Sequence, residues 1–215
     1  MIAKAINALG GEEALRALET EVVTGKVMVQ GMELPFKMTK MRPDLLRTES
    51  EFQGVSIVQA YDGETAWWVN PLLGATEPKP MPEDFARSTK RWVDFEGPLV
   101  DYENKRHRVE YVGEVETEHG SAYEIELSHS DGDKWRIFID IGTYLEIKRT
   151  YPETFMGNTR EVTAYFHDHS DVEGVNLHHV IDGEAIDGTR YKMIFDVVKP
   201  NVAIDDAWFS IPEPK

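Results

Sequence analysis

"HRVEYVGEVETEHGSAYEIELSHSDGDKWRIFIDI", His107 to Ile141, alternates apolar and polar residues and is punctuated by His119-Gly120 and Asp131-Gly132. Alternation with a period of two is the mark of a strand with one face buried, and short turn signals between such runs mean antiparallel neighbours. The same grammar continues downstream through "YLEIKRTYPETF", "TREVTAYFHDH", "VNLHHVIDGEAI" and "TRYKMIFDVV". Turn pairs at Gly142-Thr143, Gly157-Asn158, Glu173-Gly174 and Asp187-Gly188 separate these runs.

Upstream, "EVVTGKVMVQ", Gly31 and "MELPFKMTKM" read as a hairpin, followed by "DLLRTESEF" and "VSIVQAY" with Gln53-Gly54 between them. The strand inside "YDGETAWWVNP", Tyr61 to Pro71, sets Trp67 beside Trp68, so their side chains must leave opposite faces of the sheet. One is expected under a helix and the other on the outer side, beneath the proline-rich "PLLGATEPKPMP", which reads as irregular. Helical signals are confined to two places. Ile2, Ile6 and Leu9 form one stripe stopped by Gly10-Gly11, with a second short helix carrying Ala14, Leu15 and Leu18. Pro82, Glu83 and Asp84 open a central helix, with Lys90-Arg91 in its later turns.

These runs predict a mainly β, α+β chain. A single domain, 1–215, is expected, with helices over 1–19, strands over 20–71, a helical insertion over 82–94, strands over 106–199 and a tail over 200–215. Eleven or twelve antiparallel strands exceed what an open sheet carries flat, so the sheet is expected to curl into a half-open barrel. The N-terminal and central helices would close it. The apolar face is expected to carry Leu34, Phe36, Met38, Trp135, Ile137, Ile139, Tyr191, Met193, Phe195 and Val197; Lys37, Glu126, Arg136 and Lys148 fall on the other. Two short helical segments cover so broad a face poorly. Either bulky side chains fill the gap or a pocket remains.

Composition narrows the function. The 215 residues are 41% hydrophobic with a formal charge of −16, which argues against nucleic acid and anionic lipid surfaces as partners. There is no cysteine, so disulfide, thiolate and Cys-ligated zinc chemistry are excluded. Seven histidines include His167, His169, His178 and His179, which invite a zinc reading with Asp168 or Asp171. Alternation sets His178 and His179 on opposite faces, and surface histidines outnumber ligands. A polar outer face is therefore the expectation, with no metal. "SDGDKW" lacks the later acidic ligand of a calcium loop and reads as a hairpin turn. No nucleophile elbow, phosphate loop, dinucleotide fingerprint or zinc-protease motif occurs, so neither catalysis nor a cofactor is expected.

"RPDLLR" followed by "YDGETAWWVNP", together with the closing "NVAIDDAWFSIP", resembles the LolA-like group of outer-membrane lipoprotein-sorting proteins. "ALGGEEALRALETEVVTGKV" is similar to openings in that group. The resemblance implies a periplasmic, non-catalytic carrier whose apolar lumen takes lipoprotein acyl chains or other lipid. It also implies a membrane-bound donor or acceptor and a signal peptide outside this sequence. It implies that Arg42, in the Arg-Pro pair, holds the helical lid by hydrogen bonds. The lumen candidates, chosen by face and resemblance, are Leu34, Phe36, Met38, Trp67, Trp92, Ile137 and Met193. The alternatives are a structural or interaction module with a filled barrel and an unrecognised hydrolase or metal-binding protein.

Overall fold

The structure is a computed structural model, and it describes residues 1–212. In chain order it contains α1 (Ile2–Ala8), α2 (Gly11–Arg16), β1 (Thr20–Val29), β2 (Met32–Met41), β3 (Leu45–Phe52), β4 (Val55–Asp62), β5 (Ala66–Asn70), β6 (Ala75–Pro80) and α3 (Glu83–Arg91). These are followed by β7 (Arg108–Thr117), β8 (Gly120–Ser128), β9 (Lys134–Asp140), β10 (Glu146–Phe155), β11 (Asn158–Val172), β12 (Val175–Glu184) and β13 (Arg190–Pro200). Short 3-10 turns occupy Pro71–Leu73 and Asp206–Trp208.

Among the described residues the strands form one 13-stranded sheet in the order β6-β5-β4-β3-β2-β1-β13-β12-β11-β10-β9-β8-β7. It is open, with β6 and β7 as its outer strands. The hairpins follow from turn chemistry. Gln30 and Gly31 both have positive φ, 50° and 78°, the geometry of a two-residue hairpin whose twist matches its strands. Gln53-Gly54, Met156-Gly157 and Glu173-Gly174 repeat it. The stretch read from sequence as irregular proves to include β6, whose Pro78 and Pro80 lack the N–H an inner strand must donate. At the sheet's edge that donor is not needed.

The chain divides into two compact units. The first comprises Met1–Ala17, Glu96–Thr154 and Asn158–Lys192. Its core is built where α1 lays Ala5 on Ile125 and Leu127 of β8 and Ile137 and Ile139 of β9, each at most 4% exposed. Fully burying each of the larger residues contributes about 1.5–3 kcal/mol. Lys4 Nζ donates to the Tyr144 hydroxyl at 3.0 Å, and Asn176 N donates to the Leu9 carbonyl at 3.0 Å. Gly10 has no room for a Cβ, which would run into the carbonyl oxygen of Gly174.

The second unit comprises Leu18–Phe95, Phe155–Gly157 and the chain from Met193. Its strand register assigns every side chain to one of two faces. Met38 lies opposite Val23 and Thr48, and Phe36 opposite Gly25 and Ser50. Thr48 lies opposite Gln59, and Gln59 opposite Trp68. Directly paired residues share a face, so Val23, Met38, Tyr61 and Trp68 look to one side. Thr39, Arg47, Ala60 and Trp67 look to the other.

Candidate functional site

The first face of the second unit carries four of the sequence candidates. Leu34, Phe36 and Met38 alternate along β2, and Phe36 stacks on Phe195 with ring centroids 6.2 Å apart. Met193 shares the side of Phe195 by strand alternation. Met38 and Met193 are buried; Leu34 and Phe36 are only half-covered. Toward the Gln30-Gly31 and Gln53-Gly54 turns the same face continues with Val27, Phe52 and Ile57, all half-covered, while Val197 on β13 is 43% exposed. The result is a contiguous apolar strip that its own unit leaves incompletely buried.

The opposite end of the strip is polar and tied down. Arg42 Nε donates to the Leu18 carbonyl at 2.6 Å, and Arg42 N donates to the Glu19 carbonyl at 2.9 Å. The guanidinium lies 5.1 Å from the centre of the Phe95 ring, and Lys40 Nζ lies 5.7 Å from it. Arg42 thus grips the chain just beyond α2 and stacks on a ring just beyond α3. We expect Arg42→Leu to speed amide hydrogen exchange over residues 18–21 and 92–95 several-fold. Unchanged exchange there would remove the holding role from Arg42.

α3 covers the strip beside the proline strand. Phe85 and Ala86 pack on Ala66 and Trp68 of β5, with Ala75 and Met81, and Phe85 meets Trp68 at 4.7 Å and Phe155 at 5.2 Å between ring centroids. Two polar atoms on this side, Trp68 Nε1 and Asn70 Oδ1, are buried with no hydrogen-bond partner among the described residues. Leaving such an atom unsatisfied costs about 1–3 kcal/mol.

The remaining candidates fall elsewhere. Trp67 points away from the strip, and Trp68, its neighbour, is the tryptophan that joins it. Alternation dictates that the pair diverge but not which one faces α3; pairing of Gln59 with Trp68 sets that phase. Trp67 is covered not by the proline-rich segment but by the tail: its Nε1 donates to the Phe209 carbonyl at 2.7 Å. Trp92 caps the C-terminal end of α3 and is 38% exposed. Ile137 is fully buried in the first unit, within the core beneath α1.

The histidines lie in the first unit. His167 Nε2 is 3.2 Å from the Asp182 carboxylate, His119 packs edge-on against His167 at 5.3 Å, and His169 lies opposite His178. Among the described residues no three His, Asp or Glu side chains are grouped to hold a metal ion. Beside them a hydrogen bond with the Tyr165 hydroxyl, aided by Lys148 at 3.3 Å, draws the Glu118 carboxyl down to about 2. The same bond pushes the Tyr165 phenol up to about 12. A depressed carboxyl adds stability above its unfolded pKa and loses it as pH falls through the folded value. Wild type should therefore lose more stability than Tyr165→Phe between pH 5 and pH 2, as read by urea midpoints; equal losses would contradict the pairing.

No family model matches the chain, and no curated protein matches it. Solved structures do. A DUF1329 family protein from Desulfovibrio piger superposes with a TM-score of 0.65 over 97% of this chain and 95% of its own, at 11% identity. A domain described as an outer membrane lipoprotein-sorting protein, from Vibrio parahaemolyticus, gives 0.64 over 97% and 95%, at 11% identity. A LolA superfamily protein from Nitrosomonas europaea gives 0.63 over 96% and 97%, at 12% identity. The chain has a LolA-like fold. The strip, the Arg42 grip and the α3 cover are thus features of a LolA-like sheet that is open at both outer strands. No described helix is long and apolar enough to cross a membrane.

Proposed function

We propose that the protein is a non-catalytic carrier that binds a lipophilic ligand, lipoprotein acyl chains or another lipid, in the bacterial periplasm. The observation that carries this reading is the incompletely covered apolar strip of Val27, Leu34, Phe36, Phe52, Ile57 and Val197. The LolA-like fold supports it. Removing acyl methylenes from water against such a strip yields about 0.8 kcal/mol per CH₂. The ligand enters along the strip, and a membrane-bound donor or acceptor supplies or receives it.

A dansyl-labelled fatty acid tests this by displacement with unlabelled lipid. Saturable binding is expected, weakened at least tenfold by Leu34→Glu, which puts a charge at a half-covered position where folding tolerates it. Met38→Glu should weaken binding as well, with a larger cost to stability because Met38 is 3% exposed. A probe that binds without saturation, or binds Leu34→Glu as tightly as wild type, overturns the carrier reading.

A further inference from the structure

The apolar strip accounts for the tail of a lipid and leaves its head without a place. The α3 end of the same face holds two polar atoms that need one. Trp68 is 3% exposed and Asn70 7%; among the described residues the Trp68 indole Nε1–H has no acceptor and the Asn70 Oδ1 no donor. They stand two residues apart on β5, about 7 Å along the strand, with a register shift in the β5–β6 pairing between them. Asn70 is paired with Ala75, and Ala75 belongs to the cluster that packs beneath α3 with Trp68 and Phe85. On α3 itself the buried Thr89 hydroxyl donates to the Met81 thioether at 3.3 Å, a weak acceptor. One donor, one acceptor and an ill-served hydroxyl therefore gather among apolar and aromatic side chains.

We propose that this end of the strip is a head-group subsite for an uncharged acyl ester with a free hydroxyl, of the monoacylglycerol class. The Trp68 indole N–H donates to the ester carbonyl, and the Asn70 amide oxygen accepts from the hydroxyl. A hydrocarbon satisfies neither atom. A carboxylate offers acceptors only, which leaves Asn70 Oδ1 unserved. The inference rests on the carrier reading and adds the chemistry of the ligand's polar end.

The test compares monooleoylglycerol with methyl oleate, equal in acyl chain, as displacers of the dansyl-labelled fatty acid. Wild type should prefer monooleoylglycerol by about tenfold, the worth of relieving one buried unsatisfied acceptor. Asn70→Leu should bring that preference within twofold. Independently of any variant's folding, the Trp68 indole proton in an ¹⁵N-labelled sample should move downfield on adding monooleoylglycerol. Equal affinities in wild type, a preference that survives Asn70→Leu, or an unmoved indole proton overturns the subsite. Wild type that binds neither lipid removes the carrier reading, and the subsite falls with it. Binding of both without preference removes the subsite alone.

Discussion

Phe209→Ala is expected to destabilise the second unit by about 3–5 kcal/mol, the range for deleting a fully buried phenylalanine. Phe209 is 0% exposed although it lies close to the chain's end. It closes the face opposite the strip. Its carbonyl receives the Trp67 indole N–H, and the preceding Trp208 carbonyl receives Arg47 Nη1 at 3.2 Å. The Arg47 guanidinium lies 4.4 Å from the Trp208 ring centre and 5.5 Å from that of Trp67. The start of the tail is fastened too: Asn201 Oδ1 accepts from Glu19 N at 2.9 Å, and the Thr20 hydroxyl donates to the Val202 carbonyl at 2.6 Å. Removing the Phe209 ring leaves a cavity under a strap whose hydrogen bonds, apart from the buried one from Trp67, are at or near the surface. Urea denaturation should show the loss, and Ile211→Ala, 39% exposed, should stay within about 0.5 kcal/mol of wild type. A Phe209→Ala midpoint matching that of Ile211→Ala would contradict the strap.

Gly25→Val is expected to cost about 3 kcal/mol or more, at or beyond the upper end for overpacking. Gly25 faces the strip opposite Phe36, where the Phe36 and Phe195 rings stack. A Cβ there would run into the carbonyl oxygen of Ile194, a backbone atom that no rotamer change can move. The β1 and β13 backbones approach at this point because a side chain is missing. Any substitution must pry them apart, disturbing Phe195 and with it the floor of the strip. Gly113→Ala provides the contrast: a Cβ there meets nothing within 4 Å. Near-wild-type stability for Gly25→Val would show that the close approach is not needed.

Strand existence was legible because alternation and two-residue turns are local signals. The hairpin at Gln30-Gly31 is signalled by its own local sequence. What failed to show was whatever depends on position in the sheet. Pro78 and Pro80 argue against a strand unless it is known to be outermost, which only the full strand order reveals. The Trp67-Trp68 divergence was certain, but its phase is fixed by cross-strand pairing with β4. The tail strap left a trace in the sequence, the closing run of Trp208, Phe209 and Ile211, yet nothing local says which face it covers. Ile137 has the same alternation and apolarity as Met38, so sequence could not separate a residue beneath α1 from one on the strip. The orphaned polar atoms of Trp68 and Asn70 were invisible for the same reason: satisfaction of a hydrogen bond is a property of neighbours.

The most direct test of the account is to locate a bound acyl chain on the protein. With ¹³C-methyl methionine labelling, a saturating spin-labelled stearic acid should broaden the Met38 and Met193 methyl signals more than that of Met28, which strand register sets on the opposite face of the same unit. Excess unlabelled lipid should restore both signals, as expected of an acyl chain held on the strip. Uniform broadening across all the methionines, or none at Met38 and Met193, would contradict it.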